Sequence, residues 1–396
     1  MRGQKQKRAL SQRAPRTEGR GDPRLLDILK NAFARLEDDP DRLTHAFHTY
    51  PAKMHPGLAG ALVRGFSKPG DALLDPFCGS GTVLVEAMAS GRRSRGVDLN
   101  PLALRVAEVK TTLRTKPSRQ RFLETARRLA ARSEERVRAR VDARAPLEGE
   151  ELRWYHPHVL KELAGLLEEI RADEDRRAFE MVFSSILMKV SKQRSDTDGR
   201  EVERRIRKGL STELFLRRAK ELEQRWARLG KACAKLEEVH RPRMIQGDAR
   251  DLATLMEGRE PIDLIVTSPP YAGTYDYVDH HARRYPWLGL EPAPLAKGEI
   301  GARRALSGPG GVTRWDRELG DTLAAMRAVL AEGGHAVLLL GDGQIGETRV
   351  EAERQVERLA PLAGLSVLAV ASQSRRDYAG HRNRREHLIA LRPAAR

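Results

Sequence analysis

Two short stretches hold the residue types and spacings that could do chemistry. The first is Asp75-Pro76-Phe77-Cys78-Gly79-Ser80-Gly81-Thr82, preceded by the apolar run Ala72-Leu73-Leu74 and followed by Val83-Leu84-Val85 and Ala87-Met88 at helical spacing. Its glycines therefore fall in a turn from a buried strand into a helix. There Gly79 and Gly81 can take backbone angles closed to other residues and let a ligand approach the main chain. Amide groups opening the next helix favour a carboxylate or phosphate. The second stretch, Thr267-Ser268-Pro269-Pro270-Tyr271, follows the apolar run Ile262–Val266. A carboxylate, Asp98, ends the expected second strand Ser94–Val97, where nucleotide folds hold ribose hydroxyls; it can accept two hydrogen bonds from a vicinal diol.

The elements that must position these groups alternate between strand and helix. Strands are expected at 72–74, 94–97, 244–248, 262–267, 336–340, 365–371 and 387–391, with amphipathic helices over 25–36 and 58–66. The expected fold is α/β, a Rossmann-like doubly wound sheet, in two parts spanning 23–110 and 241–396. Between them, 111–240 reads as an inserted helical block: Leu160, Leu163, Leu166, Leu167 and Ile170 share one face, and Phe179, Val182, Phe183, Ile186 and Leu187 another. Residues 1–22, with Arg2, Lys5, Lys7, Arg8, Arg13, Arg16 and Arg20 and no apolar periodicity, read as a disordered basic tail.

The glycine motif and the Ser-Pro-Pro-Tyr turn together resemble the motifs of the amino-methyltransferases, the S-adenosylmethionine-dependent DNA methylases that act on exocyclic base amines. The resemblance covers roughly 47–110 and 243–392. It implies S-adenosyl-L-methionine as cofactor, held by Asp75, Phe77, Gly79, Gly81, Thr82 and Asp98, with Asp248 on the adenine amino group. The segment Phe47–Pro56 resembles the family's closure over the methionine end of the cofactor, which adds Tyr50 and Lys53; for Lys53 a plain surface role is equally open. The helical block departs from the family's order, because it precedes the third strand rather than following it.

The resemblance makes Ser268, Pro269, Pro270 and Tyr271 the catalytic turn. An exocyclic base nitrogen is a poor nucleophile because its lone pair is delocalised. Hydrogen bonds from the amine to Ser268 Oγ and the Pro269 carbonyl would place negative dipoles against a nitrogen that is becoming positive. Paired prolines stiffen the turn, and Tyr271 offers a ring for an extruded base. Serine at the head of this motif is commoner in cytosine-N4 enzymes and aspartate in adenine-N6 and guanine-N2 enzymes, so cytosine N4 is the expected target. Adenine N6, an RNA base, or a non-enzymatic nucleic-acid-binding protein are the alternatives.

Composition agrees with a polyanionic partner. The 396-residue chain carries a formal net charge of +17, although 55 acids are interspersed. Nucleic-acid contacts are expected from Lys192, Arg194 and Arg200 in a polar loop of the block. Tyr275, Arg283 and Arg284 are expected to add to them, in a segment where aromatics and bases interleave although aromatics form only 5% of the chain. A core-packed helix is the competing reading of Tyr285, Trp287 and Leu288. Lys297–Gly311 reads as a mobile loop. Two cysteines supply neither a disulfide framework nor a zinc site, and Cys78 reads as a small filler. No metal ligand set, membrane span or signal peptide is evident, so a reducing, cytoplasmic setting is expected, with oligomeric state open.

Overall fold

The computed structural model describes residues 16–196, 198–376 and 383–395. Its strands in chain order are β1 (Thr17–Gly21), β2 (Ala72–Asp75), β3 (Arg93–Asp98), β4 (Gln193–Ser195), β5 (Asp198–Glu201), β6 (Arg243–Gln246), β7 (Ile262–Thr267), β8 (Leu330–Gly341), β9 (Gly343–Ile345), β10 (Thr348–Val350), β11 (Leu365–Arg376) and β12 (Asn383–Pro393). Eight of them form one sheet in the order β1-β11-β12-β8-β7-β2-β3-β6. The run β6-β3-β2-β7-β8 is parallel, and β12, β11 and β1 extend it antiparallel. The doubly wound α/β expectation holds.

Buried parallel strands need apolar residues on both faces, and β2 supplies them. Leu73 points into the layer formed by α1 (Pro23–Ala34) and α2 (Pro56–Phe66), with Leu29, Leu58 and Leu62. Leu74 points into the opposite layer, with Ile265, Trp315 and Leu323. Both motifs thus leave the sheet at neighbouring carboxyl ends, the place where open α/β sheets bind ligands. Helix starts follow local signals. Pro56 opens α2 behind the His55 cap, whose Nδ1 accepts the Gly57 N–H at 3.2 Å. Pro101 opens α4 (Pro101–Lys110) behind Asn100, whose Oδ1 accepts the Leu102 N–H at 3.0 Å.

The inserted block is built from α5 (Lys116–Arg138), α6 (Pro157–Arg171), α7 (Arg176–Leu187) and α8 (Leu210–Cys233), counting α3 (Thr82–Met88) before them. Phe122 stacks on Phe179 at 4.5 Å, and Trp226 meets the edge of Phe122 at 4.9 Å. The same apolar cluster includes Leu102, Val106 and Val109 of α4 and Tyr285, Trp287 and Leu288. Trp226 Nε1 also donates to Val109 O at 2.8 Å. The block therefore shares its core with the sheet domain.

Three expectations change. The basic tail 1–22 lies mostly outside the described residues, but its end is β1, paired to β11 from Thr17↔Gln373 to Gly21↔Ala369. Its sequence has no apolar residue, because the pairing is main chain to main chain and Gly19 and Gly21 pack too close to β11 for a Cβ. The polar loop 192–200 contains the hairpin β4–β5. Lys297–Gly311 holds the end of the short helix Ala293–Gly298 and the helix Arg303–Leu306, with Ile300 and Leu306 buried. Among the described residues no helix is long and apolar enough to cross a membrane, and no cluster of three or more potential metal ligands occurs.

Candidate active site

Asp75, at the end of β2, is buried. Its Oδ1 accepts hydrogen bonds from Thr267 Oγ1 at 2.7 Å and Phe77 N at 3.2 Å. The first bond joins the glycine motif to the residue before Ser268, so the two motifs are braced against each other. Burial pushes the Asp75 carboxyl up to about 7, against the pull of these donors. Beyond it, Gly79 and Gly81 sit at φ 48° and 78°. A Cβ at Gly79 would touch the Tyr50 ring at 3.3 Å, and one at Gly81 would meet Ala107 Cβ of α4 at 2.8 Å. Glycine is thus required by backbone angle at both positions, and at the second by helix packing as well.

Asp98 closes β3 with both carboxylate oxygens engaged. Gly79 N donates to Oδ2 and Asn100 N to Oδ1, each at 2.8 Å. Burial raises its carboxyl to about 6. Each oxygen keeps a further acceptor site, which is what a ribose diol needs.

These residues wall a cavity of about 850 Å³, lined among the expected set by Tyr50, Lys53, Asp75, Phe77, Gly79, Thr82 and Asp98. Thr82 Oγ1 and Asn100 Nδ2 are buried on its wall without a hydrogen-bond partner among the described residues. Unmet polar atoms beside two buried carboxylates suit a ligand that bears both acceptors and a positive charge. S-adenosylmethionine, with its carboxylate, ammonium and sulfonium, fits that donor set.

Two expected cofactor residues stand apart. Gly81 lies behind the turn, against α4. Asp248 is off the cavity wall, which its neighbours Gly247 and Ala249 line. Its carboxylate is held by the Arg250 guanidinium, with Nε at 2.9 Å from Oδ1. Lys53 Nζ donates to His45 O at 3.1 Å. His45 in turn contacts Glu86 of α3 at 2.7 Å, which anchors the closing segment to the glycine motif's helix. His48 is structural, bonded to Ser184 Oγ at 3.0 Å. Cys78 is a buried filler whose thiol burial pushes up, away from the nucleophilic thiolate.

A second cavity of about 860 Å³ adjoins the first. Ser268, Lys53, Met54 and Tyr277 line both, and Pro269, Tyr271, Tyr275 and Glu386 line the second. The Tyr271 hydroxyl donates to Glu386 Oε1 at 3.3 Å, while its ring lies against Gly341. Sequence reasoning missed Glu386, Leu295 and Glu299, whereas Tyr277 lies in the segment where aromatic and basic residues interleave. Glu386 reaches the site because β12 pairs with β8, Glu386 opposite Gly341, a register invisible in the chain order.

The expected nucleic-acid residues divide. Lys192 faces Glu201 at 3.5 Å, and Arg194 and Arg200 both pair with Asp198, at 3.3 and 2.8 Å, with 55% and 72% of their side chains exposed. Tyr275 is at the second cavity. Arg284 corrects the expectation: only 1% exposed, it pairs with Asp196 and cannot meet a phosphate. Arg283 is likewise engaged, by Glu151, by Gln193 Oε1 at 3.0 Å and by the face of Trp154 at 4.4 Å. Their charge ties the block to the segment after the Ser-Pro-Pro-Tyr turn, and the core-packed reading of Tyr285, Trp287 and Leu288 is the one observed.

A family model described as DNA methylase matches residues 4–109. Type II methyltransferase M.MvaI of Kocuria varians is 44% identical over 80 residues, 19% of this chain and 18% of that enzyme. Type II methyltransferase M.MjaII of Methanocaldococcus jannaschii is 38% identical over 74 residues, 19% of this chain and 14% of that one. A tRNA (guanine(10)-N2)-dimethyltransferase of Methanothermobacter thermautotrophicus is 46% identical over 52 residues, 13% of this chain and 16% of the relative. The chain thus spans less than a fifth of each of these relatives' length. Over residues 4–109 the chain is thus similar to the DNA methylase family, and its glycine motif is joined to the Ser-Pro-Pro-Tyr turn through Thr267 and Asp75.

Proposed function

We propose that the protein is a site-specific methyltransferase that moves the methyl group of S-adenosylmethionine to an exocyclic amine of a DNA base, cytosine N4. The observation that carries this reading is the placement of Ser268 on the wall of two adjoining cavities. One cavity has the carboxylates and unmet donors for a cationic cofactor, and the other has the tyrosines and acceptors for a flipped base. The bound cofactor supplies an electrophilic methyl on a sulfonium. The chain's own residues orient the nucleophile: Ser268 Oγ and the Pro269 carbonyl accept the amine hydrogens, directing the nitrogen lone pair towards the first cavity. Negative dipoles there oppose the charge that grows on nitrogen, an effect worth a few kcal/mol per group. Tyr271 and Tyr275 provide aromatic faces for the extruded ring. The exposed Arg194 and Arg200 are the block's candidates for phosphate contact.

Serine at the head of the catalytic turn favours cytosine N4 over adenine N6. A second reading, an RNA base as substrate, draws on the stretch shared with the tRNA dimethyltransferase. Incubation with labelled methyl donor and either DNA or total RNA, followed by digestion to nucleosides and mass spectrometry, tests both. N4-methylcytosine in DNA is expected. N6-methyladenine alone would move the target base, and label in RNA alone would overturn the DNA reading.

A further inference from the structure

Asp98 at the end of β3 sets where a ribose would sit, so the base attached to that ribose must lie toward the neighbouring end of β6. The acid that follows this third strand, Asp248, does not line the first cavity and is paired with Arg250. The same guanidinium donates to Gly298 O at 3.2 Å. A Cβ on Gly298 would lie 2.9 Å from Leu99 Cδ1 and 3.3 Å from Asp248 Oδ2, so this main chain packs directly over the strand ends. The next residue, Glu299, is 5% exposed and lines the first cavity beside Leu295 and Ile300. Its Oε1 accepts the Tyr277 N–H, and its Oε2 lies 2.6 Å from Arg304 Nη2.

We propose that Glu299, not Asp248, is the acceptor for the exocyclic amine of the cofactor's adenine, and that Asp248 acts at one remove by bracing Gly298 through Arg250. This inference rests on the cofactor reading above. A carboxylate is acceptor-only and matches an amine that presents two N–H donors. The apolar side chains of Leu99, Leu295 and Ile300 around it offer the flat base low-dielectric walls, in which such a bond discriminates strongly. The segment 293–300 is thus a wall of the cofactor site as well as the stretch that follows the catalytic turn.

The test uses titration calorimetry with two neutral-sulfur ligands, S-adenosylhomocysteine and S-inosylhomocysteine, in which an oxo group replaces the amine. The wild type should bind the first and reject the second. Glu299→Gln keeps a carbonyl for Tyr277 N–H but adds a donor, so it should weaken the adenosyl ligand roughly 10- to 100-fold. It should also improve the inosyl ligand relative to it, closing the gap. Asp248→Asn should leave that ratio unchanged. The inference is overturned if Glu299→Gln weakens both ligands equally, as a purely structural role would, or if Asp248→Asn changes the ratio instead. A wild type that binds neither ligand would overturn the cofactor reading, and this assignment with it.

Discussion

Gly341→Ala tests whether the position of the Tyr271 ring matters to methyl transfer. Gly341 ends β8, and its φ is not positive, so alanine suits the backbone. The added Cβ, however, would lie 2.6 Å from Tyr271 Cε2 and 2.8 Å from Cδ2. Carbon atoms rest at about 3.5–4.0 Å, so the ring must withdraw by roughly 1 Å into the second cavity. A displacement of that size near the reacting atoms costs up to about 100-fold in rate, or ~2.7 kcal/mol of barrier. The cofactor cavity does not include Gly341, so binding of S-adenosylmethionine should be unchanged. Single-turnover methylation of a DNA substrate would measure the step, with calorimetry for cofactor affinity. Gly333→Ala, on the same strand with no atom within 4 Å of its added Cβ, is the control and should behave as wild type. An unchanged single-turnover rate in Gly341→Ala would refute the assignment of Tyr271 as the base-facing ring.

Cofactor affinity should rise with pH. The free Asp75 and Asp98 carboxyls, raised by burial to about 7 and about 6, are protonated at pH 5, and a sulfonium favours their ionised forms; calorimetry from pH 5 to 8 should show the dissociation constant falling. The same two groups bind protons more tightly folded than unfolded. Their contribution to ligand-free stability is therefore present below the ordinary value of 3.8 and lost as pH rises toward 7, to be read in melting curves. Thr267→Val removes the donor to Asp75 Oδ1 and should cost about 1–3 kcal/mol in urea denaturation, since the buried acceptor is left under-satisfied. Arg284→Ala should cost about 3–5 kcal/mol in the same assay by stranding Asp196. Arg200→Ala should leave stability intact and lower the slope of log DNA affinity against log salt by about one, if that exposed side chain meets a phosphate.

The parts of the site written in contiguous residues were legible before folding. Glycines at αL angles closed to other residues, an acid ending a strand and a rigid Pro-Pro turn are local signals, and the alternation of strand and helix patterns placed each at the right sheet edge. What failed was set by contacts distant in sequence. Nothing near Arg284 in the chain predicts that Asp196 will neutralise it, and a charged run reads alike whether it faces solvent or a buried acid. The pairing of Asp248 with Arg250, two residues on, was not legible either, because it engages only once the turn is formed. β1 was invisible because its glycines and charged residues carry no apolar period, only a main chain for β11 to pair with.

The core shared between the inserted helices and α4 limits how this protein can be recombined. Leu102, Val106 and Val109 face the block, while Asn100, at the head of the same helix, lines the cofactor cavity. Excising residues 111–240 would bare that apolar stripe and strand Trp226's acceptor at Val109 O. The block is consequently not a cassette that could be exchanged without reworking the sheet domain, in the way a tethered module could. Under the proposed function, a change of target would have to be made within the surface of the block and around the mouth of the second cavity, with the buried seam against α4 left intact.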